Sequence, residues 1–303
     1  MEHWRRLHRW AERSGGRRSG SRGALPTVWL GQPKLPTVDL FLFTVDPVWG
    51  SEVVAAGAAG IVVDWERRGK ARRQLGEDTQ INADTAEDLA RMRAATDGRL
   101  LCRINGAGPW TGGEVDEAIA CGADEILLPM VRSTEEVDRT LDLVAGRCGL
   151  GILIETQAAV DRAAALARRP LSRIYVGLND LRIDRRSTEI FRPLVDGTVD
   201  AVRAEVAQPF GVGGLTLPGG GSPVPSDLLA AELVRLKADF TFLRRSFTAD
   251  MAGRDPFTEV PRLLQSLAEL QRAEPSEAAD HRRSFVAAVA GRDELSVVVA
   301  LPA

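Results

Sequence analysis

The most constraining feature of this chain is a repeated grammar: a short apolar run that ends on an acidic or polar cluster and gives way to helix-like sequence. GLGILIET, which closes on Glu155, and RIYVGLNDL, which carries Asp180, show it most clearly. A continuous apolar run of this length reads as a parallel strand buried on both faces, with its carboxyl end directed toward a site. Between the two, TQAAVDRAAALARRPLS has the composition of a crossover helix. The strands should then lie side by side, with Glu155 and Asp180 at one rim. Two carboxylates so placed either hold a divalent cation or divide acid and base work.

The same grammar recurs over residues 38–46, 60–66, 99–105, 123–131, 209–218 and 239–247. That makes eight strand-like runs, mostly separated by helical sequence such as the stretch from Ser133, where Ser133 or Thr134 is the expected cap. The count and order predict an α/β fold, a closed (β/α)8 TIM barrel. An open doubly wound sheet would need a tight glycine turn after its first strand, and Asp46, Pro47 and Trp49 stand there instead. Residues 1–35 are expected to be an Arg-rich tail, 36–250 the barrel, and 251–303 a helical extension. The apolar end SVVVALPA is expected to cover the barrel or a neighbouring subunit.

With 39 Lys and Arg against 42 Asp and Glu, the formal net charge is -3, which excludes the basic field that nucleic-acid binding needs. No stretch has the length of a membrane span, and the first residues lack the apolar core of a secretory signal, so the cytoplasm is the expected location. Cys102, Cys121 and Cys148 have no metal-ligand spacing and are expected to be buried or half-buried thiols in a reducing compartment. His3, His8 and His281 all fall outside the predicted barrel. Zinc is therefore disfavoured, and no barrel imidazole is available as a base.

The groups able to do chemistry cluster at predicted strand ends: Asp64 and Glu66, Arg103 and Asn105, Pro129, Glu155, Asn179 and Asp180. Glu155 and Asp180 offer two hard oxygen ligands, which suits Mg2+ or Mn2+ because these ions keep waters and need few protein ligands. Helix capping and salt bridging are the structural alternatives for the pair. Arg103 presents a planar fork that matches a substrate carboxylate, or else it neutralises Asp64 or Glu66. Gly213 and Gly214 would let the backbone approach a substrate. Trp65 lies on the opposite side of its strand from both acids and is expected to pack. The base must be a carboxylate, a bound water, Lys70 or a group from another subunit.

The phrases LLCRIN, GADEILLPMV, LIETQAAV and VGLNDL, in this order, resemble the HpcH/HpaI aldolase and citrate lyase beta-subunit family of the pyruvate and phosphoenolpyruvate-binding barrel superfamily. GIVVDWERRGKARRQ is similar to the segment after strand two in the citrate-lyase-like branch. The resemblance spans residues 38–247. It implies a Mg2+- or Mn2+-dependent carbon–carbon lyase, forming a metal-bound enolate from a pyruvate, oxaloacetate or glyoxylate unit joined to an aldehyde or acyl-thioester. By this resemblance Glu155 and Asp180 match the metal ligands, Arg103 the carboxylate-holding arginine, and Glu66 an acid near the centre. It also implies a homo-oligomer, whether dimer, trimer or hexamer. Two departures stand out. Arg67 occupies the place of the aldolase-branch histidine, and Gln157 follows the metal glutamate where that branch has its glutamine before it. A barrel that keeps the 2-oxo acid and metal site in a regulatory or biosynthetic role is the alternative these departures suggest.

Overall fold

Eight parallel strands close on themselves in chain order. They are β1 (Asp39–Phe43), β2 (Gly60–Asp64), β3 (Arg99–Arg103), β4 (Glu125–Leu128), β5 (Gly149–Ile154), β6 (Arg173–Val176), β7 (Phe210–Val212) and β8 (Phe240–Leu243). The ring closes where Phe41 of β1 pairs with Phe242 of β8. The computed structural model describes residues 38–70, 83–243 and 245–299, with 291–299 as backbone alone. The Arg-rich segment 1–35, the charged stretch 71–82, Arg244 and the last residues of SVVVALPA lie outside the described residues.

The strands read as unbroken apolar runs because both faces are covered. One set of alternating side chains, Phe41, Val62, Leu101, Leu127, Leu153, Tyr175, Phe240 and Phe242, fills the barrel interior. The other set, including Leu40, Val63, Leu100, Ile126 and Ile152, packs outward under the helices. Trp65 belongs to this outer layer, as its alternation predicts, and its indole N–H donates to the Thr85 carbonyl at 3.1 Å. Among the inward residues at the amino-terminal end, Arg173 Nε lies 2.6 Å from Glu125 Oε1, and its guanidinium sits over the rings of Phe41 and Phe240. A fully paired buried ion pair closes the floor, where an unpaired charge would cost several kcal/mol.

The helices following the first six strands are α1 (Pro47–Ala55), α2 (Ala86–Ala95), α3 (Thr111–Ala120), α4 (Thr134–Val144), α5 (Gln157–Val160) with α6 (Ala163–Ala167), and α7 (Leu178–Asp184). Past α7 come α8 (Arg192–Val195), α9 (Thr198–Glu205), α10 (Ser226–Arg235), α11 (Arg245–Asp250), α12 (Pro256–Leu270) and α13 (Pro275–Val299). Ser133 is the cap of α4, in a capping box with Glu136. Asp46 is drawn out of the strand pattern to cap α1, accepting from the Val48 and Trp49 amides, with Pro47 at the first helical position. Asp180 departs from expectation in a similar way. β6 ends at Val176, extended Gly177 turns the chain, and Asp180 falls in the first turn of α7.

The C-terminal extension lies against the barrel's own helices, with α13 packed on α10 and α8. Phe285 and Val289 are buried there. Arg282 donates to Glu232 Oε1 at 2.6 Å and to the Leu194 carbonyl at 3.1 Å. Among the described residues, no helix is long and apolar enough to cross a membrane.

Candidate active site

The register of β2 and β3 places Asp64 directly opposite Arg103 at the carboxyl ends of their strands. Arg103 grips Asp64 with two hydrogen bonds, Nε to Oδ1 at 2.8 Å and Nη2 to Oδ2 at 2.7 Å. Lys70 Nζ reaches Asp64 Oδ2 at 3.1 Å and Glu66 Oε2 at 3.4 Å, and Glu66 Oε2 stands 3.6 Å from Arg103 Nε. Asp64, Glu66 and Lys70 are all buried. Two acids and two bases are thus locked into a charge-balanced cluster, the arrangement that makes such burial tolerable. Burial alone would raise the Asp64 pKa, but the charges and hydrogen bonds of Arg103 and then Lys70 outweigh it and hold the group at about 2. For Arg103, burial works against the cation, yet Asp64 and Glu66 raise its pKa well above the ordinary value.

Asn105 serves this cluster without facing a ligand. Its Oδ1 accepts from the amides of Arg67 and Arg68 at 2.9 and 2.7 Å, while its Nδ2 donates to Glu114 Oε1 at 2.7 Å. It therefore fastens the start of the loop that delivers Lys70. Asp84, which sequence reasoning did not single out, accepts from the Asp64 amide at 2.8 Å. Burial first, with the Asp64 and Asp88 charges adding to it, pushes the Asp84 carboxyl above its ordinary pKa. The only advance signal was its position before Thr85, the cap of α2.

Glu155 follows the last residue of β5 and is buried. Its Oε1 accepts from the Met130 amide at 2.8 Å, an N–H aimed by the left-handed backbone of Met130 (φ 55°). Gly177, just past the end of the adjacent strand, makes room: a Cβ there would lie 2.5 Å from Glu155 Oε2. Burial, then the neighbouring charges of Asp180 and Glu66, push the Glu155 carboxyl well above its usual range. Asp180, the acid predicted to share its rim, is therefore close enough to oppose the ionisation of Glu155. Among the described residues, no group of three or more His, Cys, Asp or Glu side chains is gathered for a metal.

A cavity of about 880 Å³ at the barrel mouth takes in most of the predicted site. Asp64, Lys70, Arg103, Glu155, Asn179, Asp180, Gly213 and Gly214 all line it, as do Asp84 and Tyr175. Glu66 lines a smaller neighbouring cavity of about 420 Å³ instead, alongside Trp110, Met130 and Arg132. Pro129, buried at the exit of β4, lines neither. Gly213 adopts φ 71°, the left-handed region that glycine enters without strain, and its carbonyl accepts from the Tyr175 hydroxyl. Cys102 is buried, and its thiol pKa is raised by that burial, which places it in the packing as expected.

The fold and mouth define a closed eight-stranded parallel β/α barrel with an acid-rich cavity at the carboxyl ends of its strands. No family model matches the chain. In structure it is similar to "Citrate Synthase SbnG", with a TM-score of 0.52 and 18% identity over 72% of this chain and 93% of that one. A comparable likeness holds to RipC from Yersinia pestis, with a TM-score of 0.50 and 17% identity over 80% and 98%. At this identity the likeness concerns the fold. In sequence, 122 residues are 32% identical to indole-3-glycerol phosphate synthase of Aromatoleum aromaticum (strain DSM 19018 / LMG 30748 / EbN1), covering 40% of this chain. The matched stretch spans 44% of that protein's length.

Proposed function

We propose that this barrel is a divalent-cation-dependent carbon–carbon lyase acting on a 2-oxo acid unit. The observation that carries the reading is the buried pair Glu155 and Asp180 lining one cavity with Arg103, the Asp180 charge being near enough to oppose ionisation of Glu155. The donor set fits a hard ion: oxygens only, with no thiol or imidazole among the lining residues. Glu155 and Asp180 would hold Mg2+ or Mn2+, which supplies Lewis acidity toward a keto oxygen when bound.

The chain's own residues supply the rest. Arg103 would meet the substrate carboxylate with the Nη1 that Asp64 leaves, since Asp64 holds its Nε and Nη2 edge and Lys70 is tied to Asp64 and Glu66. Asn179 and the backbone at Gly213 and Gly214 shape the wall. Cleavage of a 4-hydroxy-2-oxo acid requires removal of the hydroxyl proton as the C3–C4 bond breaks; the electron pair passes to the 2-oxo acid fragment as an enolate, and an aldehyde leaves. Asp84 is the carboxyl assigned to that proton. It lines the cavity beside Asp64, whose amide it binds, and burial pushes its carboxyl above the ordinary value, the direction that favours holding a proton it has taken.

The test is turnover of 4-hydroxy-2-oxo acids with Mg2+, measured as pyruvate release. Glu155→Gln should cut cation-dependent cleavage by about 100-fold or more while circular dichroism stays native. Undiminished cleavage in that variant would overturn the assignment. Binding of cation and pyruvate without cleavage of any substrate in the panel would favour the regulatory alternative.

A further inference from the structure

The mouth of the barrel is chemically two-sided. Asp64, Lys70, Arg103, Glu155 and Asp180 stand on β2, β3 and the segments after β2, β5 and β6, whereas the side formed by β6, β8 and β1 presents aromatic rings, with the exposed Asp46 and Arg245 also lining the cavity. Phe43 packs edge-on against Phe242 with centroids 5.2 Å apart, and Tyr175 stacks on Phe242 at 4.3 Å. All three line the large cavity, and Ile190 and Phe191 continue the apolar surface up its wall. β7, between β6 and β8 in the ring, directs no bulky side chain into this space. Gly213 lines the cavity, and a Cβ on Gly211 would strike the Phe240 ring at 2.6 Å. In a closed ring of eight strands, β7 lies across the barrel from β3, which bears Arg103. Phe191 is braced from behind by Phe285 of α13, with ring centroids 6.4 Å apart, so the apolar wall is backed by packed structure.

Resting on the reading of the charged side as a 2-oxo acid site, we infer that the molecule this site accepts carries a bulky apolar group, aryl or branched alkyl, on the carbon chain beyond its 2-oxo acid head. The head faces Arg103 and Glu155, and the chain crosses over the β7 glycines to reach Phe242, Tyr175 and Ile190. Hydroxyl or phosphate groups placed against the rings themselves would lose hydration there, while Thr44, Arg245 and Thr248 line the cavity outside the ring cluster. Burying a phenyl group on such a wall is a gain of tenfold or more in affinity at about 25 cal/mol per Å² of apolar area.

Isothermal calorimetry on the full chain with Mg2+ tests this, using pyruvate, 4-methyl-2-oxopentanoate and 4-phenyl-2-oxobutanoate, with Glu155→Gln as control. The expected result is that the phenyl ligand binds at least about tenfold more tightly than pyruvate. Ile190→Ala at the rim and Phe242→Ala in the barrel should each shrink that ratio, the rim change keeping the test valid if the barrel change impairs folding. Equal affinities that still depend on Glu155 would overturn this inference and leave the 2-oxo acid reading standing. Failure of every ligand to bind, with Glu155→Gln behaving as wild type, would overturn both.

Discussion

At the residue scale, Asp64 shows how one carboxylate ties stability to the geometry of the site. It is ionised and doubly paired to Arg103, with Lys70 on the same oxygen that accepts from Nη2. Its folded pKa of about 2 lies below the ordinary 3.8. The stabilisation is therefore fully present above 3.8 and is lost as pH falls through about 2. Asp64→Asn would leave Arg103 and the buried Lys70 with Glu66 as their one carboxylate in the cluster and should cost about 3–5 kcal/mol near neutral pH. Urea unfolding at about pH 6 and about pH 2.5 should show the gap between the two proteins narrowing in acid, and a gap independent of pH would contradict the pairing. Glu155, Asp180 and Arg103 were legible in the sequence because each closes or follows an apolar run. Asp84 was not, because it follows a polar charged stretch with no periodicity to mark what faces inward. Gly177 was also hidden: its role depends on a neighbouring strand bringing Glu155 to where a Cβ would stand.

At the scale of elements, all eight strands could be read from apolar runs, yet the runs overshoot the ladder. Asp46 and Asp180 sit in the run but belong to the helices that follow, one as a cap and one in a first turn. Alternation cannot mark where hydrogen bonding to a neighbour ends, since that depends on the partner strand. α10 begins immediately after Pro225 without a side-chain cap, so no local start signal in the sequence marks it. α13 was expected to cover either this barrel or another copy, and it packs on α10 and α8 behind the wall that carries Phe191. Phe285→Ala should lower stability by about 3 kcal/mol in chemical denaturation, as expected for emptying a buried aromatic site. A loss under about 0.5 kcal/mol would mean that α13 does not brace this wall.

At the scale of the whole molecule, barrel closure places side chains from β2, β3, β5 and β6 around one cavity, although they are scattered from Asp64 to Asp180 in the chain. A ring of parallel strands points every carboxyl end the same way, so the sequence grammar that defines the strands also locates the site. The grammar left open what the opposite side of the mouth would be. Tyr175 and Phe242 both fill the barrel and line its cavity, and Phe43 packs against them at the mouth. The central claim is that Glu155 and Asp180 together hold a divalent cation beside a 2-oxo acid. Titration of Mn2+ followed by electron paramagnetic resonance, with and without oxalate as a 2-oxo acid mimic, tests it most directly. One site per chain should tighten when oxalate is added and weaken by about 100-fold in either Glu155→Gln or Asp180→Asn. Unchanged Mn2+ binding in both variants would contradict the account.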